Sequence, residues 1–249
     1  LTGRFIVDSS DELGRLAVAL DDMQRQLGQL DTARKRFIAT ASHELRTPIF
    51  SLGRFLELLQ DEDVDPDTQQ AFLTQVRQQV ERLKRLATDL LDLSKLEAGS
   101  LELERQPTDL GVLAEAVTSE FRPALARHES KLQLRLGAGM VEADVDPERV
   151  AQVMRILIDN ALTHTPLGTN MVVTAARQDG DVRLSVRDNG GGIKRQTLER
   201  IFEPFYSAGD GQGSGLGLAI ARELAERMDG RLTVEAQAGH TTFTLELPA

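Results

Sequence analysis

The chain has 249 residues, a net charge of −10, and neither Cys nor Trp. That length allows one or two domains with a real core. The negative charge argues against a dedicated nucleic-acid binder, which needs a basic face for the phosphate backbone. The absence of Cys excludes a disulfide framework and fits a reducing compartment. No apolar run approaches the ~18 residues of a membrane span, and no secretory signal is visible. Leu1 stands in place of an initiating Met, so the sequence reads as a fragment.

Leu13, Leu16, Leu20, Met23, Leu27 and Leu30 follow alternating steps of three and four. This a/d seam predicts a helix that pairs with other helices. Arg34 falls on the seam before Phe37, where a local shift in supercoil is expected. The helix then runs to about Gln60, with Phe37, Ala41, Leu45, Leu52, Leu56 and Leu59 as its apolar stripe.

Within it lies Ser42-His43-Glu44-Leu45-Arg46-Thr47-Pro48. His43 is two residues from both Ala41 and Leu45 and so points away from the stripe, with Glu44 beside it and Thr47 one turn on. A helix-interior proline such as Pro48 costs ~3 kcal/mol and kinks the axis. His43-Glu44 begins like a zinc-protease helix, but Thr47 stands where the second His is required, which excludes zinc hydrolysis. The other histidines, His128, His164 and His240, form no evident metal cluster.

The acidic turn Asp61-Glu62-Asp63-Val64-Asp65-Pro66 ends this helix and offers Asp65 or Asp67 as the next cap. A second helix is expected from about Asp67 to Leu96, its stripe being Phe72, Val76, Val80, Leu83, Ala87, Leu90 and Ser94. Two helices with one narrow stripe each cannot enclose a core, which predicts a dimer of hairpins forming four helices.

Beyond Gly99 and Pro107 the pattern turns to mixed α and β. Strands are expected at Lys131–Leu136, Met171–Arg177, Val182–Arg187, Arg231–Glu235 and Thr242–Leu247. Helices are expected at Leu110–Ala126, Pro147–Ala161 and Leu216–Arg227, with Asp146 capping the second. This interleaving predicts an α/β sandwich, one sheet covered by helices on one face.

Three signals in this half carry chemistry. Asp188-Asn189-Gly190-Gly191-Gly192-Ile193 follows a strand, so a carboxylate precedes backbone that a flat ligand can approach closely. Gly209, Gly211, Gly213, Gly215 and Gly217 run into a helix N-terminus, which favours anions. Asn160, late in a helix, offers an amide oxygen to a hard metal. A Walker phosphate loop, a dinucleotide fingerprint and the protein-kinase signatures are all absent. An acid for a base edge, an amide for Mg²⁺ and glycines for phosphates form a coherent ATP site. With an exposed His, they point to phosphoryl transfer.

On these residues the chain resembles a two-component sensor histidine kinase. Ser42–Pro48 is similar to the H-box, Asp159–Pro166 to the latter part of the N-box and Asp188–Ile193 to the G1 box. Phe202–Tyr206 is similar to the F box and Gly213–Ile220 to the G2 box, in the family's order. Asp11-Glu12-Leu13-Gly14 resembles the second helix of a HAMP module. The resemblance implies HAMP and signalling coiled coil over 1–30, a dimerisation and phosphotransfer domain over 31–100, and a catalytic domain over 101–249. The implied fold is a dimeric helical-hairpin four-helix bundle followed by an α/β sandwich of the Bergerat type, which binds ATP.

By the same resemblance His43 is the phospho-acceptor, and Glu44 takes the proton from its far ring nitrogen. Asn160 holds Mg²⁺, and Asp188 binds the adenine amino group. Gly190, Gly192, Phe202, Gly213, Gly215, Leu216 and Gly217 complete the ATP-binding set. The phosphoryl group passes to an Asp of a response regulator, and Thr47 orients water to dephosphorylate that partner. The implied setting is the cytoplasmic portion of a bacterial membrane receptor, a homodimer that reaches the membrane through preceding segments and binds no nucleic acid. Three positions depart from the family. Ile156 replaces the first N-box Asn, Thr163 replaces a basic residue, and the lid Ser207–Gln212 holds no Arg or Lys. These motivate an alternative, a nucleotide-binding dimeric scaffold with weak or no kinase activity. An ATP-driven clamp like the gyrase and mismatch-repair proteins would leave the histidine segment and heptads idle.

Overall fold

The computed structural model describes residues 12–60, 64–137, 139–178, 180–206 and 213–248. Asp11, most of the acidic turn (61–63) and the lid Ser207–Gln212, with Gly209 and Gly211, lie outside the described residues, as do the side chains of Leu13 and Leu30. The chain divides into two compact units, Leu1–Val80 and Glu81–Ala249.

Helix α1 spans Glu12–Leu58 and α2 spans Pro66–Glu97. Asp65 caps α2, its Oδ1 accepting the N–H of Asp67 at 3.1 Å and of Thr68 at 3.0 Å. Pro66 then suits the first helical turn, where a missing N–H costs nothing. At the other end Gly99 takes a φ of +68°, and the N–H of Ser100 closes on the carbonyl of Lys95 at 3.1 Å, a left-handed glycine stop.

Helix α1 is assigned without interruption through Pro48, which is itself buried. The inward apolar residues of its second half and of the turn that follows are Leu45, Pro48, Leu52, Phe55 and Leu59, an unbroken 3-4-3-4 run. Leu56, expected on the stripe, is 51% exposed. It lies one residue, about 100°, further round the helix than Phe55. The Phe55 ring meets Phe72 of α2 at 5.9 Å. On α2 a similar slip occurs. Val80 is 48% exposed and Ala87 and Ser94 face outward, while Gln79 is half-buried and Leu86 and Leu93 are buried. The polar Gln79 at an inward position hides the true heptad from a hydrophobicity reading.

The second unit contains β1 (Gln106–Asp109), α3 (Leu110–Glu120), α4 (Arg122–Arg127), β2 (Leu132–Leu136), β3 (Glu142–Val145) and α5 (Pro147–His164). It continues with β4 (Met171–Gln178), β5 (Asp181–Asp188), α6 (Arg195–Leu198), α7 (Gly217–Arg227), β6 (Arg231–Gln237) and β7 (His240–Pro248). The five-stranded sheet has the order β2-β4-β5-β7-β6. β2 is parallel to β4, and the other neighbours are antiparallel. Helix α3 packs on β2 and β4, α5 on β5, and α7 on β6 and β7.

Strands β4, β5 and β7 alternate buried with less buried positions, so one face carries the core. In the ladder Val173 pairs with Val186 and Val186 with Phe243, and Leu184 pairs with Leu245. Val153, Leu157 and Ile158 of α5 and Ile220 and Leu224 of α7 are each at most 2% exposed. At ~25 cal/mol per Å² of apolar surface, burying such a set is the main stabilising contribution to this unit.

Two expectations are corrected. The helix expected over Leu110–Ala126 breaks at Phe121, because Pro123 has no N–H and its ring would clash with the carbonyl one turn back. Strands β1 and β3 form a separate antiparallel ladder. β1, with Pro107 inside it, shows no alternation, and β3 alternates exposed Glu142 and Asp144 with buried Ala143 and Val145 over only four residues, too short a run to be read as a strand.

Candidate functional site

In the first unit, the His43 side chain is 74% exposed, and its Nδ1 lies 3.9 Å from Oε1 of Glu44, which is 32% exposed. The ring edge carrying Nδ1 is therefore turned toward the carboxylate, and Nε2 is left toward solvent. Thr47 donates its hydroxyl to the His43 carbonyl at 3.3 Å, and Ser42 does the same to Ile38 at 2.8 Å. Both bonds are local to the helix, so neither hydroxyl competes for the imidazole.

In the second unit, a cavity of about 480 Å³ opens between α5, the end of β5 and the start of α7. Asn160, Ala161, His164 and Thr165 of α5 and its C-terminal cap form one wall. Asp188, Gly191, Gly192, Ile193 and Lys194 form a second, and Thr197, Ile201, Tyr206, Leu218, Thr241 and Phe243 close it.

Asp188 is only 6% exposed, and its Oδ1 accepts the N–H of Gly190 at 2.9 Å. Burial raises its pKa, an effect opposed by the hydrogen bond from Gly190 and by His240. Two of the three glycines after it, Gly190 and Gly192, are required by contact. A Cβ on Gly190 would lie 2.7 Å from Cγ2 of Thr165, and one on Gly192, whose φ is +76°, 2.2 Å from the carbonyl oxygen of Gln237. His164 is drawn below its ordinary pKa, mainly by desolvation, with Asp159 opposing. The imidazole is therefore neutral at pH 7 and adds no fixed charge to the wall.

Of the residues expected to bind ATP, Asn160, Asp188 and Gly192 line this cavity. Phe202 does not. It stands edge-on to Phe243 at 6.5 Å and beneath the Arg222 guanidinium at 5.7 Å, so it supports a wall residue from behind. Gly190 is buried below the floor and Leu216 is fully buried. Gly215 packs against the Phe205 backbone and Gly217 against Ile156. Gly213 is also absent from the wall and borders the residues outside the described set.

His164 and Thr241 were missed from sequence. Thr241 is the register partner of Asp188 across the β5–β7 ladder and is 4% exposed. Lys194 is also on the wall and brings a cation to it, while the neighbouring Arg195 is not. Among the described residues no group of three His, Cys, Asp or Glu side chains is placed to hold a metal ion. Asn160 with ligand oxygens remains a fit for Mg²⁺, which keeps few protein ligands.

Residues 33–99 match the His Kinase A (phospho-acceptor) domain, and residues 145–249 match the histidine kinase-, DNA gyrase B- and HSP90-like ATPase. The sensor histidine kinase RcsC of Salmonella typhimurium is 32% identical over 98% of this chain and 26% of its own length. The chain thus spans about a quarter of that relative, and 54% of BaeS of Escherichia coli, which is 33% identical over 99% of this chain. Among solved structures, Acinetobacter baumannii histidine kinase AdeS matches with a TM-score of 0.71 and 29% identity, covering 83% of this chain and 97% of AdeS. Full-length ShkA in complex with AMPPNP matches with a TM-score of 0.65 and 28% identity, over 86% of this chain and 45% of ShkA. Carrying a phospho-acceptor domain followed by an ATPase domain of this kind, the chain belongs to the sensor histidine kinase family.

Proposed function

We propose that the chain is an ATP-dependent protein-histidine kinase that phosphorylates His43 and passes the phosphoryl group to an Asp of a response regulator. The observation that carries this is the coexistence of an exposed His43 facing Glu44 with a cavity walled by Asn160, Asp188 and Gly192. Asp188 would accept a hydrogen bond from the adenine amino group. Asn160 would hold Mg²⁺, which supplies charge neutralisation at the phosphates when bound.

Nε2 of His43 attacks the γ-phosphorus, the bond to the β-phosphate oxygen breaks, and ADP leaves. Glu44 takes the Nδ1 proton, so the ring stays nucleophilic. In the second transfer the N–P bond breaks as a receiver carboxylate forms an O–P bond. Thr47 then serves the reverse task, orienting water toward the receiver's acyl phosphate. The complex of AMPPNP with ShkA supports adenine nucleotide as the ligand.

The same reading takes the chain as a homodimer through its hairpin, whose Phe50 is 70% and Leu73 47% exposed in the single chain. It also takes the chain as the cytoplasmic portion of a membrane receptor. No helix among the described residues is long and apolar enough to cross a membrane, so attachment would come through segments outside them, following a HAMP module.

Incubation with γ-labelled ATP and Mg²⁺ tests the proposal. Acid-labile, alkali-stable label that disappears in His43→Gln is expected. The packing of Ile156 against Gly217, where a polar N-box residue is usual, favours the second reading of a nucleotide-binding scaffold. Nucleotide binding without any phospho-His43 would establish that reading instead.

A further inference from the structure

Asp89 of α2 and Ser214 of the glycine segment are 125 residues apart in sequence and joined by a hydrogen bond. Ser214 donates its hydroxyl to Oδ2 of Asp89 at 2.6 Å, and the Ser214 Oγ in turn accepts the N–H of Leu216 at 3.2 Å. Leu216 caps α7, and Leu218, two residues on, lines the cavity. A carboxylate is thus tied through one hydroxyl to the N-terminus of the helix that borders the nucleotide site.

Two further bonds hold this stretch of α2 to the same unit. Asp92 accepts from Gln152 of α5 at 2.8 Å, and the Leu96 carbonyl accepts from the Arg227 guanidinium. Asp89 is half-buried. Its pKa is raised, first by burial, with Asp92 and Asp159 adding to the rise and Ser214 and Arg85 opposing it. The cost of this burial is compensated only in part, so the contact is held by its position in the fold.

We propose that Asp89 is a positioning residue for the nucleotide site. Through Ser214 it holds the segment before α7 against α2, and its charge opposes the phosphates that the N-terminus of α7 would otherwise attract. This rests on the adenine-nucleotide reading above. It goes beyond that reading by making phosphate affinity depend on a residue of the hairpin helix. Breaking the Asp89–Ser214 bond would free Ser214 and Leu216 from α2, whereas deleting the Asp89 charge would remove a competing anion.

Calorimetric titration of the 249-residue chain in EDTA, with adenosine, ADP and ATP as ligands, tests it. Asp89→Asn keeps an acceptor for Ser214 and deletes the charge. It is expected to strengthen ATP binding by roughly threefold or more, ADP by less, and adenosine not at all, since charge repulsion scales with ligand charge. Ser214→Ala keeps the charge and cuts the tie, and is expected to speed amide exchange at Gly215–Gly217. Equal changes for adenosine and ATP, no change, or weaker ATP binding in Asp89→Asn would overturn the electrostatic role. Unchanged exchange in Ser214→Ala would overturn the positioning role. If the unmodified chain binds neither ATP nor adenosine, the nucleotide reading falls, and this one with it.

Discussion

The carboxylate of Asp188 and the backbone N–H of Gly190 form a 2.9 Å hydrogen bond at the floor of the cavity, where Asp188 is 6% exposed. The bond opposes, without cancelling, the burial that raises the Asp188 pKa. A carboxyl whose folded pKa is raised contributes stability that is fully present below its ordinary value and lost as pH rises through the folded value. At neutral pH the unliganded protein therefore carries a cost there. Asp188→Asn, which keeps an acceptor for Gly190, is expected to raise Tm at pH 7 and to lose that advantage below about pH 4, near the ordinary Asp pKa. It is also expected to weaken adenosine binding at least about tenfold, because a base-edge donor loses its charged acceptor. Melting curves at both pH values with one adenosine titration check it, and a variant less stable at pH 7 would contradict it.

Thr47 allows the two proposed activities at His43 to be separated. Among the described residues its hydroxyl bonds back to the His43 carbonyl, at 3.3 Å and on an exposed surface, so removing it leaves the helix essentially intact. Thr47→Ala is expected to keep labelling of His43 by ATP and to slow dephosphorylation of a phosphorylated receiver domain by roughly tenfold or more. Parallel assays of both reactions decide it, and equal losses in the two would assign Thr47 a structural role.

What was legible in the sequence was local. The long helices, the cap at Asp146 and the acid-glycine turn at Asp188–Gly192 each depend on neighbours within a few residues. The seam of α2 was misread because Gln79 occupies an inward position, and hydrophobicity alone then follows Val80 to the wrong face. The missing half of the cavity wall depends on pairing across the chain. Thr241 reaches Asp188 only through the register of β7 on β5. Phe202 lay inside a recognised motif, yet its ring supports Phe243 instead of lining the site. The Asp89–Ser214 bond has no sequence signal, since neither residue is unusual where it stands.

The N-terminus of α2 carries its own pH dependence. Asp65 is held below the usual carboxylate range, first by the Thr68 hydroxyl, at 2.5 Å, and then by the Thr68 N–H. A carboxylate with a lowered folded pKa contributes stability that is present above its ordinary value and lost as pH falls through the folded one. Asp65→Ala should therefore loosen the first turn of α2 at neutral pH and make no difference in strong acid. Faster amide exchange at Asp67 and Thr68 is the measurement, and unchanged exchange at pH 7 would show that the cap contributes nothing.

The glycines of the segment before α7 should differ sharply in what they tolerate. Gly215 has a φ of +68°, and a Cβ there would lie 2.7 Å from the carbonyl carbon of Phe205, a residue itself at a φ of +63°. The N–H of Phe205 bonds the Gly215 carbonyl at 2.8 Å, so the two backbones cannot separate without losing that bond. Gly217 is the first residue of α7, and its added Cβ would meet only Cγ2 of Ile156, at 3.2 Å. A side-chain methyl can shift by a few tenths of an ångström, and alanine has the better helix propensity. Gly215→Ala is expected to cost more than about 2 kcal/mol in urea unfolding, combining strain with a backbone clash. Gly217→Ala is expected to stay within about 1 kcal/mol of the unmodified chain. If the two variants unfold at the same denaturant concentration, the segment is not held against Phe205 as described.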